Sequence, residues 1–172
     1  MIKLFPITNS LPQNYEKWLE NYELKGWNLK AILLGGWIHY FAKEESRKIR
    51  YCYDYHGKKK KDYETIFIDA GWELVNYSLG AYTWRIKYDK ERPEAFSDNI
   101  SIIGRNNRLL ALILVCLIPY LITIILAAKV YIEGKSLGFV GPLIIIATFL
   151  LYVSLIGGLI NSNRKNRKTI KM

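Results

Sequence analysis

The chain has 172 residues, with 25 lysines and arginines against 15 aspartates and glutamates, a net charge of +10. Its 51% hydrophobic and 14% aromatic content excludes a disordered chain, which is poor in both. Two cysteines, Cys52 and Cys116, are too few to staple a small secreted domain. The apolar residues are unevenly divided: all five tryptophans precede residue 85, and almost every long apolar run follows residue 108.

A short strand is expected at residues 2–5. A helix follows, with Tyr15, Trp18, Leu19 and Tyr22 at the i, i+3, i+4, i+7 spacing of an apolar stripe. Ser10 with Gln13 fits a capping box at its start, and Pro12 is tolerated in a first turn. Gly26 stands where a helix end needs a left-handed residue. A hairpin is expected next, with strands at 28–34 and 37–42 joined through Gly35-Gly36. The segment 49–55 alternates Ile49, Tyr51, Tyr53 and Tyr55 with Arg50, Cys52 and Asp54, the pattern of a strand. After the run Lys58, Lys59, Lys60 and Lys61, Asp62 suits the cap of a second helix with the stripe Tyr63, Ile66, Phe67 and Ala70. Gly71 ends it, and a second hairpin follows at 73–78 and 81–88, turned at Gly80-Ala81.

The two halves repeat. Gly26-Trp27 matches Gly71-Trp72, and Leu34-Gly35-Gly36-Trp37 matches Leu79-Gly80-Ala81-Tyr82, with one shared offset and no gap. The fold expected for residues 1–96 is therefore α+β. Duplicated βαββ units form a mainly antiparallel sheet with the helices on one face, of the general ferredoxin-like type. One aromatic set occurs in both hairpins: Trp37, His39 and Phe41, then Tyr82, Trp84 and Ile86. Two readings are open. These residues form the core beneath the helices, or some of them line a groove for an apolar ligand, a peptide or a partner protein.

Signs of chemistry are sparse. His39, His56 and Cys52 have no spacing that suits zinc, and neither a metal nor a cofactor is expected. No phosphate-cradling glycine loop or paired catalytic carboxylates can be placed. The lysine run reads either as a solvated turn or as a contact for anionic lipid headgroups. Bases only modestly outnumber acids up to Arg108, so nucleic acid is not the expected partner.

Residues 97–108 read as a linker or a juxtamembrane helix, with Ser97 as its cap and Gly104 as a hinge. Beyond them, residues 109–128 and 136–160 carry no charge. As helices these runs match the roughly 30 Å of a bilayer's hydrocarbon core, so a two-helix transmembrane hairpin is expected over 109–160, with spans at about 109–131 and 141–160. Arg105 and Arg108 precede the first span. Arg164, Lys165, Arg167, Lys168 and Lys171 lie in the basic tail 161–172, against Lys129, Glu133 and Lys135 in the connecting loop. The positive-inside rule then places both termini in the cytoplasm of a two-span cell-membrane protein. These flanking cations are further candidates for anionic-lipid contact. No ionisable residue lies mid-span, which argues against a pump or channel built from the hairpin alone. Pro119 is expected to kink the first span. Ala147, Ser154 and Gly158 fall near one face of the second, suited to close packing within the hairpin or between the protomers of a homodimer.

Several motifs together resemble the bacterial family named "domain of unknown function 2812", over about residues 1–108. They are Lys3-Leu4-Phe5-Pro6-Ile7, Glu16-Lys17-Trp18-Leu19, the Gly26-Trp27 and Gly71-Trp72 turns, Asp62-Tyr63, and Phe96-Ser97-Asp98 before Ser101. Ala81-Tyr82 stands where a second glycine–aromatic pair is common in that family. The resemblance implies two appended spans, as in many members. From members encoded beside PadR-like regulators, it also implies a role in a membrane-linked stress or drug response. It implies no activity for any residue. The expected function is that of a non-enzymatic, membrane-anchored cytoplasmic binding module for a protein or apolar ligand, acting as sensor, regulator or accessory subunit. The alternatives are an accessory subunit of a membrane transporter and an enzyme acting on lipid.

Overall fold

The computed structural model describes residues 1–5, 11–96, 98–135 and 138–170. The chain divides into two units, Met1–Ser97 and Asp98–Met172. The first unit runs β1 (Ile2–Leu4), α1 (Pro12–Leu24), β2 (Trp27–Leu33), β3 (Ile38–Lys43), β4 (Ile49–Tyr55), α2 (Lys61–Asp69), β5 (Glu73–Ser78) and β6 (Ala81–Lys87). These are two βαββ units in succession. The α+β class and the antiparallel pairing agree with the sequence. The strands hydrogen-bond as two three-stranded sheets, β1-β3-β2 and β4-β6-β5, rather than as one ladder.

The two units share fine detail. The register shifts between Leu29 and Ala31 in β2, and between Leu74 and Asn76 in β5, so each strand carries one extra residue at the matching position. Leu34 and Leu79 both take positive φ, 48° and 50°. In the second hairpin Ser78 pairs with Ala81, so the turn is Leu79-Gly80 rather than Gly80-Ala81. Positive φ at both of its residues matches the right-handed twist of the strands. Position 80 must be glycine for a second reason: a Cβ there would meet the backbone of Gly57 at 2.6 Å.

Burial sorts the side chains into two clusters. Tyr15 and Leu19 of α1 pack with Leu29, Ile32 and Phe41 of the first sheet, and with Ile49 and Tyr51 of β4. Phe67 of α2 packs with Cys52, Trp72, Tyr82 and Trp84. Strand β4 therefore serves both clusters, odd residues to one and Cys52 to the other, with one helix on each of its faces.

Helix α1 also carries an acidic stripe, buried at Glu16 and Glu23 and half-buried at Glu20. Glu16, Glu20 and Glu23 lie at i, i+4 and i+7, so they share a face. Strand β4 is the edge of its sheet, and its outward N–H groups need partners. Tyr53 N donates to Glu16 Oε1 at 3.0 Å, and Tyr51 N to Glu20 Oε1 at 3.2 Å. The guanidinium of Arg50 meets both carboxylates, at 3.0 and 2.9 Å. Glu23 is fully buried. Its carboxylate accepts from Leu29 N at 3.0 Å, from the Tyr51 hydroxyl at 2.6 Å and from Arg47 Nε at 2.6 Å.

The helix starts differ from expectation. Helix α1 has Leu11 at its N-cap with no side-chain bond, and the expected cap, Ser10, lies outside the described residues. Lys60 occupies the N-cap of α2. Asp62 instead sits with Glu64 in the first turn, where acids complement the helix dipole.

The second unit is a pair of helices, α3 (Asn99–Ile132) and α4 (Val140–Ile170). Asp98 caps α3, accepting from Ser101 N at 2.7 Å; Ser97, the expected cap, lies outside the described residues. Helix α3 continues through Gly104 and Pro119, so most of the expected linker is helical, and α4 carries the basic tail as helix to Ile170. Both are long and apolar enough to cross a membrane. They join through polar atoms. The Tyr120 hydroxyl donates to Ile145 O at 2.7 Å, and Asn106 Nδ2 donates to Asn163 Oδ1 at 2.9 Å. Asn163 Nδ2 donates in turn to Asn107 Oδ1 at 2.8 Å. Of the expected small-residue face, Ala147 and Ser154 are exposed, away from α3, and Gly158 is half-buried.

The repeat suggests equal burial of Trp27 and Trp72, but the structure separates them. Trp72 is 7% exposed in the second cluster. Trp27 is only half-buried, at the margin of the first, with Lys43 Nζ 5.2 Å above its ring. Trp72→Ala is expected to destabilise the folded chain by about 3–5 kcal/mol, and Trp27→Ala by less than half as much. Chemical denaturation of both variants checks the order.

Candidate functional site

The aromatic set divides by burial. His39, Phe41, Tyr82 and Trp84 are fully buried, so of the five residues read as a potential surface they are core. Their side chains fill the space between each hairpin and its helix. Trp37 alone is exposed, at 60%, and Ile86 is half-buried. The register explains this: His39 and Phe41 share the inward face of β3, while Trp37 precedes that strand, in the turn.

Trp37 stands at the rim of a cavity of about 210 Å³ within the first unit. One wall is aromatic and aliphatic: Phe5, Tyr15, Ile32 and Trp37, with Tyr53 from β4 opposite. The other wall carries Asn76, Ser78 and Thr83 from the second hairpin. Gly35, Gly36 and Ala81 leave the room. The cavity thus lies between the two sheets. The repeat is not symmetric about it: Asn76 and Ser78 of β5 line the cavity, while their counterparts in β2, Ala31 and Leu33, are not among its lining residues.

At its edge is a buried polar chain. A 2.7 Å hydrogen bond joins Tyr15 Oη to His39 Nε2, and the Thr83 hydroxyl contacts the same phenol. The imidazole is ringed by Phe5, Tyr15, Trp18 and Phe41, with centroids 5.1 to 6.4 Å away. Burial pushes the His39 pKa down to about 4, so the ring is neutral at pH 7. Burial likewise raises the Tyr15 phenol, and raises Tyr53 to about 12. His39 Nδ1 is buried without a hydrogen-bond partner.

The cationic candidates lie elsewhere. Lys58, Lys59, Lys60 and Lys61 are exposed. The backbone N–H of Lys60 donates to the Tyr82 hydroxyl at 2.9 Å, and Lys59 lies 3.8 Å from Glu64. Arg164, Lys165, Arg167 and Lys168 are exposed on α4, and Arg108 is half-buried. Arg105 is 2% exposed; its position on α3 turns it inward, which removes it from the surface set. Among the described residues no group of three His, Cys, Asp or Glu side chains is placed to hold a metal ion.

Two features were missed in the sequence, the acidic stripe and the asparagine cluster. The stripe had a signal, the helical spacing of Glu16, Glu20 and Glu23 beside the apolar residues. The cluster had a weaker one, Asn106-Asn107 and Asn163 just outside the uncharged runs.

The fold and cavity define a two-sheet α+β module joined to a pair of candidate membrane helices. The family model "Protein of unknown function (DUF2812)" matches residues 12–118, and the chain belongs to that family. The match runs from the start of α1 into the apolar part of α3. No curated protein and no solved structure matches the chain.

The His39 environment has a pH signature. Its folded pKa lies below the unfolded value of 6.5. As pH falls from 6.5 toward 4, the unfolded chain takes up a proton that the folded chain refuses, and stability is lost. His39→Phe is expected to flatten the stability curve in that window. Denaturation midpoints of both proteins between pH 7 and pH 4 measure it, and equal slopes would contradict it.

Proposed function

We propose that this chain is a non-catalytic, membrane-anchored binding module that takes a small ligand between its two sheets and acts as a sensor, regulator or accessory subunit. The cavity carries this reading. Its lining combines aromatic walls with a few convergent polar groups, the usual composition of a ligand site. Among the described residues its lining includes no histidine, cysteine, carboxylate or lysine, and no base stands among the lining residues to activate the hydroxyls of Ser78 and Thr83. The membrane anchor is the α3–α4 pair. The basic residues flanking its apolar runs support cytoplasmic termini, with the binding unit on the inner side.

A second reading, the accessory subunit of a larger membrane protein, draws on another observation. The outer face of the first sheet carries Ile2, Leu4, Leu33 and Tyr40, all exposed. Register places Ile2 opposite Tyr40, and Leu4 and Leu33 opposite Ile38, on one face. An apolar sheet face of this kind suits a protein partner.

A thermal-shift panel of small aromatic and aliphatic molecules against the full chain in lipid nanodiscs tests the ligand reading. At least one compound should raise the melting temperature with concentration, by the equivalent of about 2.7 kcal/mol at a hundred times its Kd. The effect should vanish in Ala81→Phe, which fills the cavity. No shift from any compound, or a shift that survives the substitution, would refute the reading. For topology, a cysteine at Glu133 should react with an impermeant thiol reagent in intact cells, while one at Lys168 should not.

A further inference from the structure

We propose that the cavity between the sheets selects small, uncharged aromatic molecules that carry one hydrogen-bonding group at an edge. This rests on the reading that the cavity is a ligand site and names the class of ligand.

The charge requirement comes from the lining. Among the described residues no charged side chain lines the cavity, and a buried ion without a partner is strongly disfavoured. The buried phenols of Tyr15 and Tyr53 in the lining are held protonated by burial, and His39, bonded to Tyr15, is neutral, so none of them supplies a counter-charge. The aromatic requirement comes from the walls. Phe5 and Tyr15 are 5.4 Å apart and tilted, Phe5 and Trp37 are 6.1 Å apart and edge-on, and Tyr15 and Tyr53 are 5.5 Å apart and edge-on. A planar ring inserted among such faces and edges gains the same offset and edge contacts.

The polar edge comes from Asn76, Ser78 and Thr83, which line one side only. An amide and two hydroxyls both donate and accept, so they suit a phenol, an indole N–H or a primary amide. Size sets the upper limit. An apolar cavity of about 150 Å³ holds benzene, so 210 Å³ admits one or two fused rings with a substituent. Trp37, exposed at the rim, is placed to cover the ligand's outer face.

Isothermal titration of the full chain in lipid nanodiscs, with empty nanodiscs subtracted, decides this with two probes of equal ring size. 2-Naphthol is neutral with one hydroxyl, and 2-naphthoate carries a charge at pH 7. The expected result is saturable 2-naphthol binding, at least tenfold tighter than 2-naphthoate, and abolished in Ala81→Phe. Trp37→Ala, at an exposed position, should weaken 2-naphthol about tenfold and keeps the test open if Ala81→Phe fails to fold. Equal or tighter 2-naphthoate binding that is still lost in the variants would overturn the proposed class while leaving the cavity as a ligand site. The absence of saturable binding by either probe, or binding unchanged in both variants, would overturn the class; binding unchanged in both would remove the cavity reading as well.

Discussion

The buried carboxylate of Glu23 is the constraint on which the first unit depends. It holds an N–H of β2, a hydroxyl of β4 and the guanidinium of Arg47 from the connection between the two repeats. A carboxylate in a core is tolerated only when it is paired and fully hydrogen-bonded. Removing one partner of such a pair destabilises by about 3–5 kcal/mol, because the remaining charge is stranded. Glu16 and Glu20 extend the same logic along β4, satisfying the edge N–H groups that would otherwise invite another strand. These three residues tie α1 to β4 of the second sheet.

This explains why a duplicated sequence gives an asymmetric domain. By the offset of the repeat, Glu16, Glu20 and Glu23 correspond to Lys61, Thr65 and Ile68 in α2. Helix α2 therefore has no acidic stripe and covers one cluster only, while α1 is drawn between its own sheet and β4. The same asymmetry separates Trp27 from Trp72 and leaves the outer face of the first sheet bare. The polar residues of the second hairpin, Asn76, Ser78 and Thr83, face inward to the cavity. Their counterparts Ala31, Leu33 and Ile38 lie on the outer face of the first sheet, where Leu33 is exposed and the other two are half-buried. One set of positions thus serves two ends in the two units.

Much of this was legible in the sequence. The period of two in β4 placed that strand at its observed bounds, and the glycine-tryptophan pairs marked both helix ends. The uncharged runs announced α3 and α4. What could not be read was tertiary. Strand β4 is buried on both faces yet alternates like a strand with one buried face, because Arg50 and Asp54 are buried with polar partners, so the split into two sheets was hidden. Acidic residues on a helix normally face water, so the stripe on α1 passed for a solvated face. Within the aromatic set, burial of Phe41 or Tyr82 and exposure of Trp37 depend on the turn at Leu34–Gly36, which shifts the strand start to Ile38. A cavity is a property of the gap between elements, and no local pattern encodes it.

In the proposed reading, the space between the two sheets is where this module meets its ligand. Methyl-labelled NMR of the full chain in lipid nanodiscs, titrated with 2-naphthol, tests this most directly. Saturating shifts are expected at the methyls of Ile32, Ala81 and Thr83, with Ile2, Leu4 and Ile66 unmoved. Shifts centred on Ile2 and Leu4, or confined to the apolar helices, would contradict it.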